Sequence, residues 1–195
     1  MTTSTAPLRA DLEPADAQRV FRAVLAALSS PGTVHAMPQR PLRILPAAML
    51  PILALADLET GVCVLGPQND WPTLVCTATS APAVPLAQAR LVAALDGLHT
   101  KQLLSVQRGS AEAPEEGALV SVAVPDVRPP GPTLRLSGPG VDGCLEVAPV
   151  LAPDLIRARA EAVADFPSGV DLLLVAPDGR LIAVPRTVRI EQGVR

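Results

Sequence analysis

The C-terminal stretch FPSGVDLLLVAPDGRLIAVPRT, residues 166–187, restricts the possible folds more than any other part of this sequence. Its two apolar runs, DLLLVA and RLIAV, are separated by a turn sequence that contains Asp-Gly, the strongest short signal for a β-hairpin. Neither run alternates apolar and polar residues, so both faces of both strands must be covered. We therefore predict a hairpin within a β-sheet that has helices on both sides.

Helical and strand-like segments alternate along the rest of the chain. Apolar residues recur at helical spacing from Pro14, and Pro31-Gly32 must end that first helix. Further helices are predicted within 47–58, 100–107 and 153–164, and strands at 61–65, 73–79, 118–124, 133–137 and 144–148, while 89–95 fits either. This order predicts an α/β fold, a three-layer sandwich on a mixed β-sheet. Residues 11–195 are predicted to form one domain, after a flexible tail at 1–10.

Composition excludes several classes of function. The net charge is -3 and Lys101 is the one lysine, so no basic patch for nucleic acid is present. No apolar run reaches the roughly 18 residues of a membrane span, and the N-terminus lacks the apolar core of a secretory signal. Cys63, Cys76 and Cys144 are widely spaced and have no histidine at metal-ligand spacing. We expect a cytoplasmic protein without a metal site, whose cysteines are buried free thiols.

Two charges bracket the C-terminal hairpin. A two-residue loop at 178–179 would place Pro177 opposite Arg180 and therefore Asp171 opposite Arg186, on one face of the sheet. We predict that these two charges form a structural pair where the hairpin enters the core. The alternative is that Arg186 binds a phosphate or the carboxylate of a partner.

Other motifs give weak functional signals. The glycine-rich segment SGPGVDG at 137–143 could bind an anion through its backbone, but a strand follows it, which favours a hairpin turn. His35 and His99 have no nearby nucleophile with an ordered base, so we interpret them as structural. Lys101, the one possible Schiff-base lysine, lies in an ordinary amphipathic stretch. We assign no catalytic residue.

Three stretches together resemble a known family. DAQRVFRAVLAALSSPGTV at 16–34, LRLSGPGV at 134–141 and the C-terminal stretch at 166–187 resemble the H subunit of the bacterial carbon–phosphorus lyase system, the PhnH family. The resemblance extends over nearly the whole chain. It implies a role in the use of alkylphosphonates as a phosphorus source. In that system the H subunit, with the G, I and L subunits, supports displacement of adenine from MgATP, which yields a ribose 1-alkylphosphonate 5-triphosphate.

The resemblance also implies a fold and partners. The family fold is similar to the large domain of pyridoxal-phosphate-dependent transferases but lacks the cofactor and its lysine. The chain is expected to be a homodimer when alone, and the surplus apolar area of the hairpin also favours an interface. In the core complex with the G, I and J subunits it is expected to dock on the I subunit. The alternative is an independent pyridoxal-type enzyme, whose lysine would have to be Lys101.

The family pattern falls on thirteen positions of this chain. They are Phe21, Arg22, Pro31, Gly32, Gly138, Gly140, Phe166, Pro167, Gly169, Asp171, Pro185, Arg186 and Thr187. Of these, Arg22, Arg186 and Thr187 are the polar candidates for binding a ligand or partner, and Gly138 and Gly140 are candidates through their backbone. Ser168 and the acidic loop Glu112–Glu116 lie outside the pattern.

Overall fold

A computed structural model describes residues 10–67, 70–130, 133–148 and 151–192. The helices in these ranges are α1 Pro14–Ser29, α2 Leu50–Leu55, α3 Trp71–Thr79, α4 Thr100–Ser105 and α5 Pro153–Ala162. The strands are β1 His35–Ala36, β2 Val62–Leu65, β3 Leu91–Ala94, β4 Leu119–Ala123, β5 Leu134–Ser137, β6 Leu145–Val147, β7 Asp171–Val175, β8 Arg180–Val184 and β9 Arg189–Gln192. Among the described residues, no helix has both the length and the apolar character to cross a membrane.

The strands form two sheets. The larger one has six strands in the order β1-β8-β7-β4-β3-β2, in which β2, β3, β4 and β7 are parallel and β8 runs antiparallel to both of its neighbours, β7 and β1. The smaller sheet is antiparallel, in the order β6-β5-β9. The predicted α/β class and the mixed sheet are therefore confirmed.

Both faces of the larger sheet are buried, as the continuous apolar runs predicted. Leu173 and Val175 of β7 point into a core that includes residues of α1, α2 and α3. Leu172 and Leu174 point the other way, into a core with residues of α4 and α5. Each fully buried leucine contributes roughly 1.5–3 kcal/mol. The helices therefore lie in a layer on each side of the sheet.

The loop of the C-terminal hairpin differs from the prediction. Leu172 pairs with Val184, and the backbone N–H of Ala176 donates to the carbonyl of Arg180 at 2.9 Å. The loop is therefore three residues long, 177–179, and the predicted two-residue turn and its register are wrong. Its glycine has a φ of 81°, the left-handed conformation that closes a three-residue hairpin loop with a bulge.

One further segment was predicted wrongly, one had been left open and one was predicted correctly. The predicted strand at 73–79 is part of helix α3, because Trp71 and Val75, one turn apart, are buried against the sheet. The ambiguous segment 89–95 contains β3, in the middle of the parallel strands. The glycine-rich segment 137–143 does join two antiparallel strands, β5 and β6, as expected for a hairpin turn.

The N-terminus and the cysteines complete the description. The predicted tail lies outside the described residues except for Ala10, which is buried. Cys63 and Cys76 are half-buried and Cys144 is exposed, so the prediction of three buried thiols is wrong. Cys144 belongs to the β5–β6 turn, and Arg135 Nε donates to its sulfur at 3.2 Å. Turns lie on the surface because their backbone polar groups need water.

The thiols are expected to react in order of exposure. Burial raises the pKa of the Cys63 thiol, which lowers its thiolate fraction, whereas Cys144 is open to solvent. Iodoacetamide at about pH 8 should therefore alkylate Cys144 well before Cys63, as followed by peptide mass spectrometry. The urea-unfolded chain, in which all three thiols react together, is the control. Equal native rates at the two positions would contradict the described burial.

Candidate functional site

Asp171 and Arg186 are in contact at the amino end of β7. The Arg186 backbone N–H donates to Asp171 Oδ1 at 2.7 Å, and its Nη2 donates to Oδ2 at 2.7 Å. The side chains are 12% and 23% exposed for Arg186 and Asp171 respectively. The contact forms despite the different register because β8 ends at Val184, and the chain beyond it no longer follows the ladder.

The Arg186 guanidinium also binds two other segments. Its Nη1 donates to the carbonyl of Pro114 at 2.7 Å and to that of Pro167 at 3.4 Å. Pro114 belongs to the acidic loop, whose backbone is held a second time where Arg90 Nη2 donates to the Glu115 carbonyl at 2.8 Å. Arg186 Nε donates to Asp171 Oδ2 at 3.1 Å, so all three guanidinium nitrogens have protein acceptors, which supports the structural interpretation over a free anion-binding group.

A groove lies next to this pair, between α5 and β9. We call it the α5–β9 groove; its volume is about 640 Å³. Its walls are largely apolar, and the exposed ring of Phe166 lies at its edge. Ile156 of α5 and Val163, the residue after the helix, line one side, and Val188 and Ile190 of the C-terminal segment line the other.

Arg159 lines the α5–β9 groove from the last turn of α5. It is 3% exposed, and its Nη2 donates to the carbonyl of Pro185 at 2.6 Å. Among the described residues, its buried Nε has no hydrogen-bond partner. Burial lowers the pKa of Arg159 to about 10, an effect that the charge of Asp171 opposes, so the side chain is a cation at neutral pH.

Arg159 lies outside every motif that pointed to a site in the sequence. The available signal was its position on the apolar stripe of the predicted helix, in line with Leu155, Ile156 and Val163. An arginine on a buried face needs a carbonyl, a carboxylate or a ligand, because an isolated buried charge is costly. The sequence alone could not show which of these it has.

The structure brings some of the predicted site residues together. Arg186 and the exposed Thr187 line the α5–β9 groove, as does Pro139 between the two glycines of the turn. Gly138 packs against this segment, since a Cβ there would lie 2.8 Å from the carbonyl oxygen of Thr187. Arg186, Thr187, Pro139 and Gly138 therefore form one region at the α5–β9 groove.

Two predicted residues lie elsewhere. A Cβ on Gly140 would lie 2.6 Å from the carbonyl oxygen of Ser29, so this glycine allows the turn to approach the end of α1. Arg22 is exposed on α1 and lines a separate shallow groove of about 390 Å³, together with Arg19 and His35. The structure therefore does not place Arg22 with Arg186 and Thr187.

The remaining candidates have local contacts. His35 Nε2 lies 2.8 Å from Thr33 Oγ1, and the His99 backbone N–H donates to Gln102 Oε1 at 2.9 Å in the first turn of α4. Lys101 is exposed on α4. Within the described residues, no group of His, Cys, Asp and Glu is arranged to hold a metal ion.

The fold and the groove define a mixed-sheet α/β protein with a buried arginine beside a largely apolar groove. The sequence profile of the bacterial phosphonate metabolism protein (PhnH) family matches residues 10–191. The chain is also 33% identical over 185 residues to HtxG of Stutzerimonas stutzeri, a protein named as a C-P lyase subunit; the alignment covers 89% of this chain and 85% of HtxG. This chain belongs to the PhnH family, and the resemblance found in the sequence is confirmed.

Proposed function

We propose that this chain is a subunit of the bacterial carbon–phosphorus lyase machinery. It supports formation of a ribose 1-alkylphosphonate 5-triphosphate from MgATP and an alkylphosphonate, as a structural or substrate-positioning partner that acts in the cytoplasm. The observation that carries the proposal is the family match over residues 10–191, together with the related protein named as a C-P lyase subunit. The similarity to the large domain of pyridoxal-dependent transferases remains part of this proposal.

The contacts of individual residues favour a positioning role over independent catalysis. Arg186 is bound to Asp171 and to backbone carbonyls, so it is held as a structural group. A pyridoxal enzyme needs an amine in a pocket, whereas Lys101 is exposed on α4 and does not line the α5–β9 groove. The alternative, a pyridoxal-type enzyme, is therefore less well supported.

Adenine release tests this function. The purified chain with MgATP and methylphosphonate is expected to release no adenine, and release should appear when it is added to the G, I and L subunits. The same subunits without this chain are the control. Steady release by the chain alone would make it an enzyme in its own right, and full release without it would contradict the proposed requirement. A borohydride-stable pyridoxal adduct on Lys101 would favour the alternative.

We also propose that the chain is a homodimer when alone and docks on the I subunit within the G, I and J core complex. The C-terminal hairpin cannot supply the interface, since β7 and β8 are buried inside the larger sheet. Helix α1 instead presents Phe21 and Leu25, one turn apart and 46% and 53% exposed. Exposed Arg22 lies beside them and is the candidate for a polar contact with a partner.

The mass in solution checks the homodimer. Light scattering at micromolar concentration should give twice the chain mass, and the double variant Phe21→Ser, Leu25→Ser should give the monomer mass. Leu58→Ser is the matched control, because Leu58 is also an exposed apolar residue but lies after α2. A monomeric wild type would contradict the homodimer, and an unchanged dimer in the double variant would place the interface elsewhere.

A further inference from the structure

The positive charge of Arg159 is incompletely balanced within the described part of the chain. The neighbouring carboxylate, Asp171, acts on it through its charge, but its oxygens bind Arg186 at 2.7 Å. Nη2 of Arg159 binds a neutral carbonyl, that of Pro185, and Nε binds no group of the residues that the structure describes. A buried donor left without a partner costs roughly 1–3 kcal/mol. Such a group in the wall of a groove marks a place for an acceptor from outside the chain.

The charges around the α5–β9 groove favour an anion as that acceptor. Arg159, Arg186 and Arg189 line it together with one carboxylate, Glu191, and Asp171 lies behind it. The region therefore carries more positive than negative charge. Arg189 and Glu191 are both exposed, so water screens them, whereas Arg159 is desolvated. The Thr187 hydroxyl adds an exposed group that can donate to an oxyanion.

The remaining walls favour an anion with an apolar substituent. Ile156, Val163, Val188 and Ile190 present apolar surface, and Phe166 adds an exposed ring at the edge. The volume of about 640 Å³ is within the usual range for small-molecule sites. We propose that the α5–β9 groove binds an alkylphosphonate, with the oxyanion on Arg159 and Thr187 and the alkyl group against the apolar wall. This inference rests on the proposed function and adds a direct substrate contact to it.

Titration of the purified full chain with butylphosphonate, methylphosphonate and inorganic phosphate, followed by calorimetry, tests the site. We expect saturable binding, with butylphosphonate tighter than methylphosphonate and phosphate weakest. Arg159→Met should weaken binding about tenfold or more, since a hydrogen bond to a charged group is lost. Arg157→Met is the matched control, because Arg157 lies on the exposed face of the same helix, and it should bind like the wild type.

Two further variants separate binding from folding. Arg159→Met also loses the bond to Pro185, so its unfolding is measured in parallel. Thr187→Val changes an exposed residue and should fold normally while weakening binding severalfold. Arg159→Lys keeps the charge without Nε and should bind more weakly than the wild type but more tightly than Arg159→Met.

Several results would overturn the site. They are the absence of saturable binding by the wild type, unchanged affinity in folded Arg159→Met or in Thr187→Val, and equal affinity for phosphate and butylphosphonate. If Arg159→Met bound phosphonate normally but no longer joined the other subunits, the groove would take a carboxylate of a partner instead, which also overturns it.

The adenine-release assay separates this inference from the proposed function. If the subunits require this chain but the chain binds no phosphonate, only the groove assignment fails. If the subunits release adenine without this chain, the proposed function fails, whatever the affinity of the groove.

Discussion

Arg186→Ala is expected to lower the free energy of unfolding by about 3–5 kcal/mol, the usual cost of breaking a buried ion pair by removing one partner. The Arg186 guanidinium is 12% exposed and joins Asp171 to the backbone of Pro114 and Pro167. Within the described ranges, removal of the guanidinium leaves the Asp171 carboxylate with a single bond, from the backbone N–H of residue 186. Urea unfolding followed by the fluorescence of Trp71, the single tryptophan and a buried one, measures the loss.

Arg180→Ala is the matched control on the same hairpin. Arg180 is likewise ion-paired, with Asp126 at 3.0 Å and Asp178 at 2.6 Å, but its side chain is 38% exposed. Water screens such a pair, so this substitution should cost less than about 1 kcal/mol. The double change Asp171→Ala, Arg186→Ala should cost less than the sum of the single changes. If Arg186→Ala left stability unchanged and abolished complex assembly, Arg186 would be a partner-binding group.

Gly117→Ala is expected to lower the free energy of unfolding by about 3 kcal/mol. A Cβ at this position would lie 2.3 Å from the Gly169 carbonyl oxygen and 2.6 Å from Arg186 Nη1. The first of these atoms belongs to the backbone and cannot move away by a rotamer change. The segment that carries Gly169 is also fixed, because the Gly169 N–H donates to the Arg108 carbonyl at 2.7 Å. The same urea and Trp71 fluorescence experiment measures the effect.

Gly143→Ala is the control for replacing a glycine at a position where the added methyl group meets no steric clash. Gly143 has a φ of 63°, but a Cβ there would meet no atom of the described residues within 4 Å, so only backbone strain of about 1 kcal/mol is expected. If Gly117→Ala lowered the free energy of unfolding no more than Gly143→Ala, the loop around Gly117 would have relaxed to make room for the added methyl group. The close approach of Gly117 to Gly169 would then place no constraint on the position of Arg186.

Arg186→Ala and Gly117→Ala measure stability rather than phosphonate binding. Arg186 and Gly117 belong to a set of contacts that holds the C-terminal segment 185–188 against the amino end of β7. The same segment carries Thr187 and accepts the bond from Arg159 at Pro185. Loss of these contacts should therefore weaken ligand binding in the α5–β9 groove indirectly. The phosphonate titrations therefore include Thr187→Val and Arg159→Lys, two variants that keep Arg186 and Gly117 unchanged.

The amino-acid sequence determined the class of fold and the family. Two continuous apolar runs around Asp-Gly are enough to require a hairpin covered on both faces, and β7 and β8 are indeed buried on both sides. Charges at the ends of such runs have few alternative partners, so Asp171 and Arg186 were paired correctly even with a register one residue off. The three family stretches identified the family without any knowledge of contacts.

Tertiary structure decided the rest. Loop length depends on how the turn matches the twist of its strands, which Asp-Gly alone leaves open between two and three residues. Residues 73–79 are helical because one face of α3 is buried against the sheet, and packing overrides the local strand preference of Thr and Val. Arg159 is a candidate only because it lines a groove and its buried Nε has no partner in the described part of the chain. Burial and hydrogen bonding depend on chain segments far apart in sequence, and no local pattern contains that information.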